Sequence, residues 1–442
     1  MAFNGSGTYS LPGAALNTGD TVSATENNTL RNDMATAFNK TLCRDGQATP
    51  TANLPMGGFK HTGLAAGTTA GDSVRYEQLP SGSNVLVEGS GGTGTTVGHN
   101  GFKNRIINGA MQTAQYGTST SVSANSTGYS CDRFRCDAPV GQGITSAQVT
   151  ASLSGFQNAL QYTAGTGSTA AGDNSEILQF IEGYNVSDLQ FGTANAQTIT
   201  LSFWAKSSLT GTFGLILENG ASNRQYVTTY SIPVANTWTY ITKTIVGDSS
   251  GTWLYTNGRG IGIRWDMGVG TTNSIAATNA WGTSSGVGVT GTTKITQTTG
   301  ATFTITGVQL EKGSTATSFD YRPYGTELAL CQRYYVKMND STGVFSIYGN
   351  GVTNSSSTGQ GFVCKLPVTM RAQPSSDFST LRLYDGNSAA TVTALSSQTV
   401  LSSPNVLGFD VTCSGTTLTS FRPAVIGNNN STSGYLAASA EL

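Results

Sequence analysis

From Asn104 onward, apolar and hydroxyl side chains alternate with a period of two. Ile199, Leu201 and Phe203 alternate with Thr198, Thr200 and Ser202, and Phe213, Leu215 and Leu217 repeat the pattern. A strand sends successive side chains to opposite faces, so such runs predict a sheet with one face on a core and the other on water. Ile241, Lys243 and Ile245, set between Trp238, Tyr240, Thr242 and Thr244, form a further run, and Ile261, Ile263 and Trp265 follow. In Phe303–Leu310 the phase skips at Gly307, which predicts a β-bulge. Near the end, Phe362, Cys364 and Leu366 form one strand, and Phe409, Val411 and Cys413 another. Gly, Asn, Ser and Thr turns separate these runs, as in a β-sandwich of jelly-roll type. No period of 20–50 residues recurs, which disfavours a solenoid or propeller.

Composition narrows the function classes. Only 11% of the 442 residues are charged, 23 basic and 24 acidic, against about a quarter in an ordinary soluble domain. A net charge of -1 offers no electrostatic footprint for nucleic acid. No run of 18 apolar residues is present, so no transmembrane helix and no membrane insertion are expected. The N-terminus lacks the basic and apolar regions of a signal peptide, which predicts assembly in a cytoplasm. Six scattered cysteines are too sparse for a disulfide scaffold. With only His61 and His99 as histidines, no metal and no cofactor is expected.

The first 80 residues read differently. Ser23-Ala-Thr-Glu26 is a capping box, and Leu30, Met34, Phe38 and Leu42 then recur every fourth residue as one apolar stripe. A narrow stripe on a short segment cannot form a core alone, so it is read as an oligomerisation or attachment surface. Gly89–Gly98 is a Gly-rich linker. Its match to G-x-G-x-x-G lacks the following helix that a dinucleotide site needs. The expected organisation is therefore an N-terminal segment (1–80), a linker (81–100), a jelly-roll domain (101–325) and a C-terminal β-sandwich (326–442). A short helix or turn over Thr326–Tyr335 would join the last two.

Catalytic signals are weak. Gly282-Thr-Ser284-Ser-Gly286 matches a nucleophile elbow, but no histidine follows it. Asp173, Glu176, Glu182, Glu218, Asp266 and Asp320 are the carboxylates available for acid–base work, and turn-borne acids usually cap or solvate. Aromatics set among amides point instead to sugar binding, because a sugar ring has an apolar face and a hydroxyl edge. Trp265, Asp266 and Trp281, with Asn223, Arg224 and Tyr226, are the candidate ligand-binding residues. For Trp204 and Trp238, inside clear strands, packing is the expectation; Trp281 fits either role.

Several stretches together resemble bacteriophage tail fibres. Asp20-Thr-Val-Ser-Ala24, Arg44-Asp-Gly46 and Asn53-Leu-Pro-Met-Gly-Gly-Phe-Lys60 resemble the virion-proximal segment of such fibres. Asn104-Arg-Ile-Ile-Asn-Gly109-Ala-Met111, Tyr129-Ser-Cys-Asp132-Arg-Phe134 and Thr200-Leu-Ser-Phe-Trp-Ala-Lys206 resemble a fibre module similar to carbohydrate-binding jelly rolls. Val308-Gln-Leu-Glu-Lys-Gly313, Phe319-Asp-Tyr-Arg-Pro-Tyr324 and Leu328–Tyr335 resemble its close, and Ser439-Ala-Glu-Leu442 a fibre ending. The resemblance implies a virion protein that attaches the particle to a bacterial surface glycan. It implies a homotrimer as self-partner, tail or other virion proteins as partners of the N-terminal segment, and bacterial polysaccharide or lipopolysaccharide as ligand. The missing solenoid repeats, the lack of a histidine after Ser284 and the absence of a paired-carboxylate signature speak against an enzyme. A polysaccharide-degrading tailspike and a structural adaptor or head fibre are the rival readings.

Overall fold

The computed structural model describes residues 18–19, 21, 23–38, 103–339, 344–415 and 417–442. The chain divides into two compact units, Met1–Gly98 and His99–Leu442.

Within the first unit, helix α1 spans Ala24–Phe38. Its capping box forms as its residue types require. The Glu26 N–H donates to Ser23 Oγ at 3.2 Å, and the Ser23 N–H donates to Glu26 Oε2 at 3.0 Å. Of the stripe, Leu30 is half-buried and Met34 exposed, Phe38 closes the helix, and Leu42 lies outside the described residues.

Among its described residues the second unit is β apart from one nine-residue α-helix and short helical turns, and it holds two large cores and two small apolar clusters. Strands of its first module begin with β1 (Ser119–Val122), β2 (Thr127–Tyr129), β3 (Arg135–Asp137), β4 (Ile144–Leu153) and β5 (Phe156–Ala164). They continue with β6 (Glu176–Glu182), β7 (Ile199–Ser207), β8 (Gly211–Asn219), β9 (Gln225–Ile232) and β10 (Thr239–Ile245). β11 (Arg259–Asp266), β12 (Ser274–Ile275), β13 (Trp281–Gly282), β14 (Gly288–Val289) and β15 (Thr302–Lys312) complete it. Two sheets face each other, a six-stranded one in the order β1-β4-β5-β15-β7-β10 and a seven-stranded one in the order β13-β9-β8-β11-β6-β3-β2.

The core between them is built by the alternation. Ile199, Leu201, Phe203 and Ala205 of β7 meet Phe213, Leu215 and Leu217 of β8 and Ile261, Ile263 and Trp265 of β11. The β15–β7 register slips between Thr306 and Gln309. Gly307 sits in that slip with φ +62°, and its missing Cβ leaves room for the Phe156 ring, 2.7 Å from where that atom would stand.

Helix α2 (Tyr324–Gln332) leads into the second module. Its strands are β16 (Tyr335–Asn339), β17 (Ile347–Thr353), β18 (Thr358–Lys365), β19 (Ser375–Ser379) and β20 (Leu381–Tyr384). β21 (Ala389–Ser397), β22 (Val406–Cys413), β23 (Pro423–Asn428) and β24 (Tyr435–Ser439) follow. Six of them close into a barrel, β17-β18-β22-β21-β20-β23, and β16-β24-β19 form a small sheet beside it. Closure sharpens the sandwich expected of this region: pairing β17 with β23 leaves the barrel without a free edge. Phe362 and Phe409 stack in its core with ring centroids 5.9 Å apart.

The two modules are clamped by ions and carbonyls. Arg333 reaches Glu182 with two bonds of 2.6 and 2.8 Å, and the Tyr334 hydroxyl donates to the same carboxylate at 2.7 Å. Arg133 pairs with Glu441. Arg371 donates to the carbonyls of Asn257, Ala440 and Glu441.

Candidate functional site

The candidates flagged in the sequence separate into two groups. Asn223, Arg224, Tyr226 and Trp281 come together at the end of the first module. In the β8–β9 turn, Asn219 Oδ1 accepts from the backbone N–H groups of Asn223 and Arg224, at 3.0 and 3.2 Å. Arg224 forms a two-bond pair with Asp248, at 2.7 and 2.8 Å. On edge strand β13, Trp281 lies opposite Tyr226, with ring centroids 5.6 Å apart. Trp253 and Phe191 pack edge-on against Trp281 at 5.3 and 5.7 Å, and its indole N–H donates to the Val246 carbonyl at 2.7 Å. The cluster seals the open end of the core, and Arg224 is already committed to Asp248. Trp281 remains half-buried, with part of its ring on the surface.

Trp265 and Asp266 are elsewhere and do not offer a sugar platform. Trp265 follows Ile261 and Ile263 onto the inner face of β11, where it has no exposed surface and packs perpendicular to Phe203 at 5.7 Å. Asp266 is equally buried. It accepts from the backbone N–H groups of Gly268, Val269 and Val289 at 2.8–3.0 Å and pairs with Lys294. These bonds tie down the loop after β11. The sequence pattern already put Trp265 in phase with core residues; its neighbour Asp266 only made it look like part of a site.

A second constellation lies on the outer face of the seven-stranded sheet. Such a face normally carries solvated hydroxyls; here it carries buried charge. Arg264 bridges Glu176 and Glu218, bonding the latter at 2.8 Å. Both carboxylates are completely buried. Gln225 donates to Glu218 at 2.9 Å and to the Gly286 carbonyl at 2.7 Å. At the other side of the face, Arg135 forms a two-bond pair with Asp137 at 2.7 and 2.8 Å. Leu178 lies between Arg135 and Arg264, and two residues further along β6 stands the buried Phe180, with the Arg259 guanidinium 4.0 Å above its ring. Gly262 makes this floor possible. A Cβ there would stand 2.9 Å from Phe180 Cε1 and 3.0 Å from Glu218 Cγ, so both side chains can close over β11 only because it is absent.

The registers explain the assembly. Arg264 lies opposite Leu178 on one neighbour and Ile216 on the other, so its reach is diagonal to Glu176 and Glu218. Glu176 and Glu218 belong to the carboxylates expected from sequence to cap or solvate; the structure buries them instead. Arg264, Arg135, Phe180 and Arg259 carried no motif. A charged residue at an outward strand position was their only signal.

Electrostatics follow from burial. Removal from water pushes Glu176 up to about 7, with Asp137 adding to the rise and Arg264 opposing it. Burial likewise raises Asp132, below the module junction, to about 6, although Gln115 bonds its carboxylate twice. For Arg264, burial works against the charge, but Glu176 and Glu218 outweigh it and hold the guanidinium protonated above its usual range. Arg259 is lowered, first by burial and then by Arg135 and Arg264. Glu176 and Asp132 bind their protons more tightly folded than unfolded. Their stabilising contribution is therefore complete below the ordinary carboxylate pKa and lost as pH rises through about 6 and about 7. Relative to the native chain, Glu176→Gln is expected to gain stability as pH rises from about 5 to about 8. Urea midpoints across that range check it, and a pH-independent difference would refute it.

Among the described residues, no helix is long and apolar enough to cross a membrane, and no group of three or more His, Cys, Asp or Glu side chains is placed to hold a metal. No protein-family model matches the chain, and no curated protein does. Solved structures similar to it include the enzymatically active domain of a bacteriophage CBA120 tailspike protein, at 15% identity and a TM-score of 0.25 over 48% of this chain and 22% of that one. The C-terminal family 22 carbohydrate-binding module of Clostridium thermocellum Xyn10B matches at 10% identity and a TM-score of 0.26, over 49% of this chain and 99% of that module. The N-terminal cellulose-binding domain of Cellulomonas fimi β-1,4-glucanase C matches at 12% identity and 0.23, over 45% of this chain and 90% of that domain. This chain thus spans about a fifth of the tailspike domain's length and nearly all of the two modules'. Likeness at this level says nothing of activity.

Proposed function

We propose that this chain is an attachment fibre protein of a bacteriophage that binds a glycan of the bacterial surface without cleaving it. The observation that carries the reading is the charged outer face of the seven-stranded sheet. Burying Glu176, Glu218 and Arg264 removes three charges from water, which folding alone does not require. What the arrangement leaves at the surface is Arg135, Arg259 and Tyr129, each half-buried, held over the buried Phe180 ring and the buried Gln225. Hydroxyl edges of a sugar need such fixed partners. The phage-fibre motifs in the N-terminal segment and in the module borders support the attachment role.

Binding rather than catalysis fits the two acids. Arg264 pins both carboxylates, and neither has exposed surface with which to reach a scissile bond. A shallow site of this kind is weak singly, and display on a homotrimer would raise its avidity through effective concentration. The full chain is expected to retain purified bacterial lipopolysaccharide or capsular polysaccharide in a pull-down, with no new reducing ends over several hours. Steady release of reducing ends would make it an enzyme. Unchanged adsorption by virions that lack the chain would remove the attachment role.

A further inference from the structure

Among the described residues, eight guanidiniums of the second unit have a carboxylate or carbonyl partner, whereas those of Arg382, set against the Phe345 and Tyr384 rings, and of Arg422 have neither. Arg105, Arg133, Arg135, Arg224, Arg264, Arg322 and Arg333 each face a carboxylate, and Arg371 is held by carbonyls. Arg259 is half-buried and has neither. Among the described residues its contact is the face of Phe180.

Its position is built. Strict alternation along β11 would send Arg259 inward with Ile261, Ile263 and Trp265. The β11–β6 register instead slips between Arg259 and Ile261, and the irregularity turns Arg259 outward over Phe180. There it shares the sheet face with Arg135 and Arg264, whose charges repel it, with Glu218, whose charge favours it, and with the half-buried Tyr129, whose hydroxyl has no partner among the described residues. A half-buried guanidinium with no ion pair or hydrogen bond of its own among the described residues is better satisfied when an incoming anion accepts from it. Phe180 holds the guanidinium carbon 4.0 Å from its ring, and a guanidinium offers the fork of N–H donors that matches a planar carboxylate with two parallel bonds.

We infer that Arg259 is the specificity-determining residue of this face and selects glycans that carry a carboxylate, namely uronic-acid-containing polysaccharides. The inference rests on the glycan-binding reading above and adds the ligand's charge. A single negative charge suits the place. Asp137, Glu176 and Glu218 line the same face, so the second charge of a phosphate would meet repulsion.

The test uses the full chain and matched probes. Oligosaccharides of polygalacturonate, alginate and hyaluronan are titrated calorimetrically against their carboxyl-reduced counterparts, with galactose 6-phosphate as a further arm. At least one acidic oligosaccharide is expected to bind about tenfold or more tightly than its reduced form. Arg259→Gln should abolish that preference, lowering the affinity for the acidic form about tenfold more than that for the reduced form, and Arg259→Lys should restore only part of it, since it keeps the charge without the fork. Circular dichroism and a thermal melt confirm that both variants fold. Equal native affinity for acidic and reduced forms, an acid preference that survives Arg259→Gln, or tighter binding of the sugar phosphate overturns the inference while leaving glycan binding standing. Failure to bind any of the probes, together with failure to retain the bacterial polysaccharides, overturns both.

Discussion

Replacing Arg264 by Met is expected to destabilise the second unit by about 3–5 kcal/mol. The substitution keeps most of the side-chain length and removes the charge that two buried carboxylates share. Glu176 and Glu218 are both fully buried, and each has Arg264 as its cationic partner. Without it, Glu218 retains Gln225 as a donor, whereas Glu176 Oε2 already lacks a partner. Glu176 would then stay protonated to higher pH, so the loss should be smaller near pH 5 than near pH 8. Removing all three charges, as Glu176→Gln, Arg264→Met and Glu218→Gln together, should recover most of the stability, because no buried charge is then left unmatched. Urea unfolding of the single and triple variants at two pH values provides the measurement. A loss under about 1 kcal/mol for Arg264→Met would mean that water reaches the triad freely.

Trp265→Ala is the second large effect, expected at about 3–5 kcal/mol, while Trp281→Ala should remain well below that. Trp265 has no exposed surface and is boxed in by Phe203 and Phe134, so its removal leaves a cavity between the sheets. Trp281 sits on a two-residue edge strand with part of its ring in water. Its neighbours Phe191, Trp253 and Tyr226 can relax into the gap. Thermal and urea denaturation of the two variants separates them, and equal losses would show that the aromatic cluster at the module end belongs to the main core.

The β architecture of the first module was legible because the apolar period is two wherever one face is buried. Ile199, Leu201 and Phe203 announce β7, and the phase skip at Gly307 marks the register slip in β15. Barrel closure in the second module was not legible. Its closing pair joins β17 to β23, and β17 reads Ile-Tyr-Gly-Asn-Gly-Val-Thr, with two glycines in place of a clean alternation. The aromatic cluster was half legible. Tyr226 and Trp281 are brought together by an edge pairing, while Trp265 is drawn away by its own strand phase. The charged face was hidden because its members are far apart in sequence: Arg264 lies 88 positions from Glu176 and 46 from Glu218. Arg259 was hidden for a different reason. A one-residue irregularity decides which face it takes, and no periodicity encodes that.

The clamp between the two β modules has a mechanical reading. Tension applied to a ligand held on the seven-stranded sheet would enter the frame through β6 and β11. At its far end β6 carries Glu182, held by Arg333 and Tyr334, and the turn before β11 carries Asn257, bound to Arg371. These attachments act in parallel with the covalent path through α2. Load would therefore be divided among several bonds at once instead of unzipping them one by one, and the barrel would share a pull felt first by the sandwich.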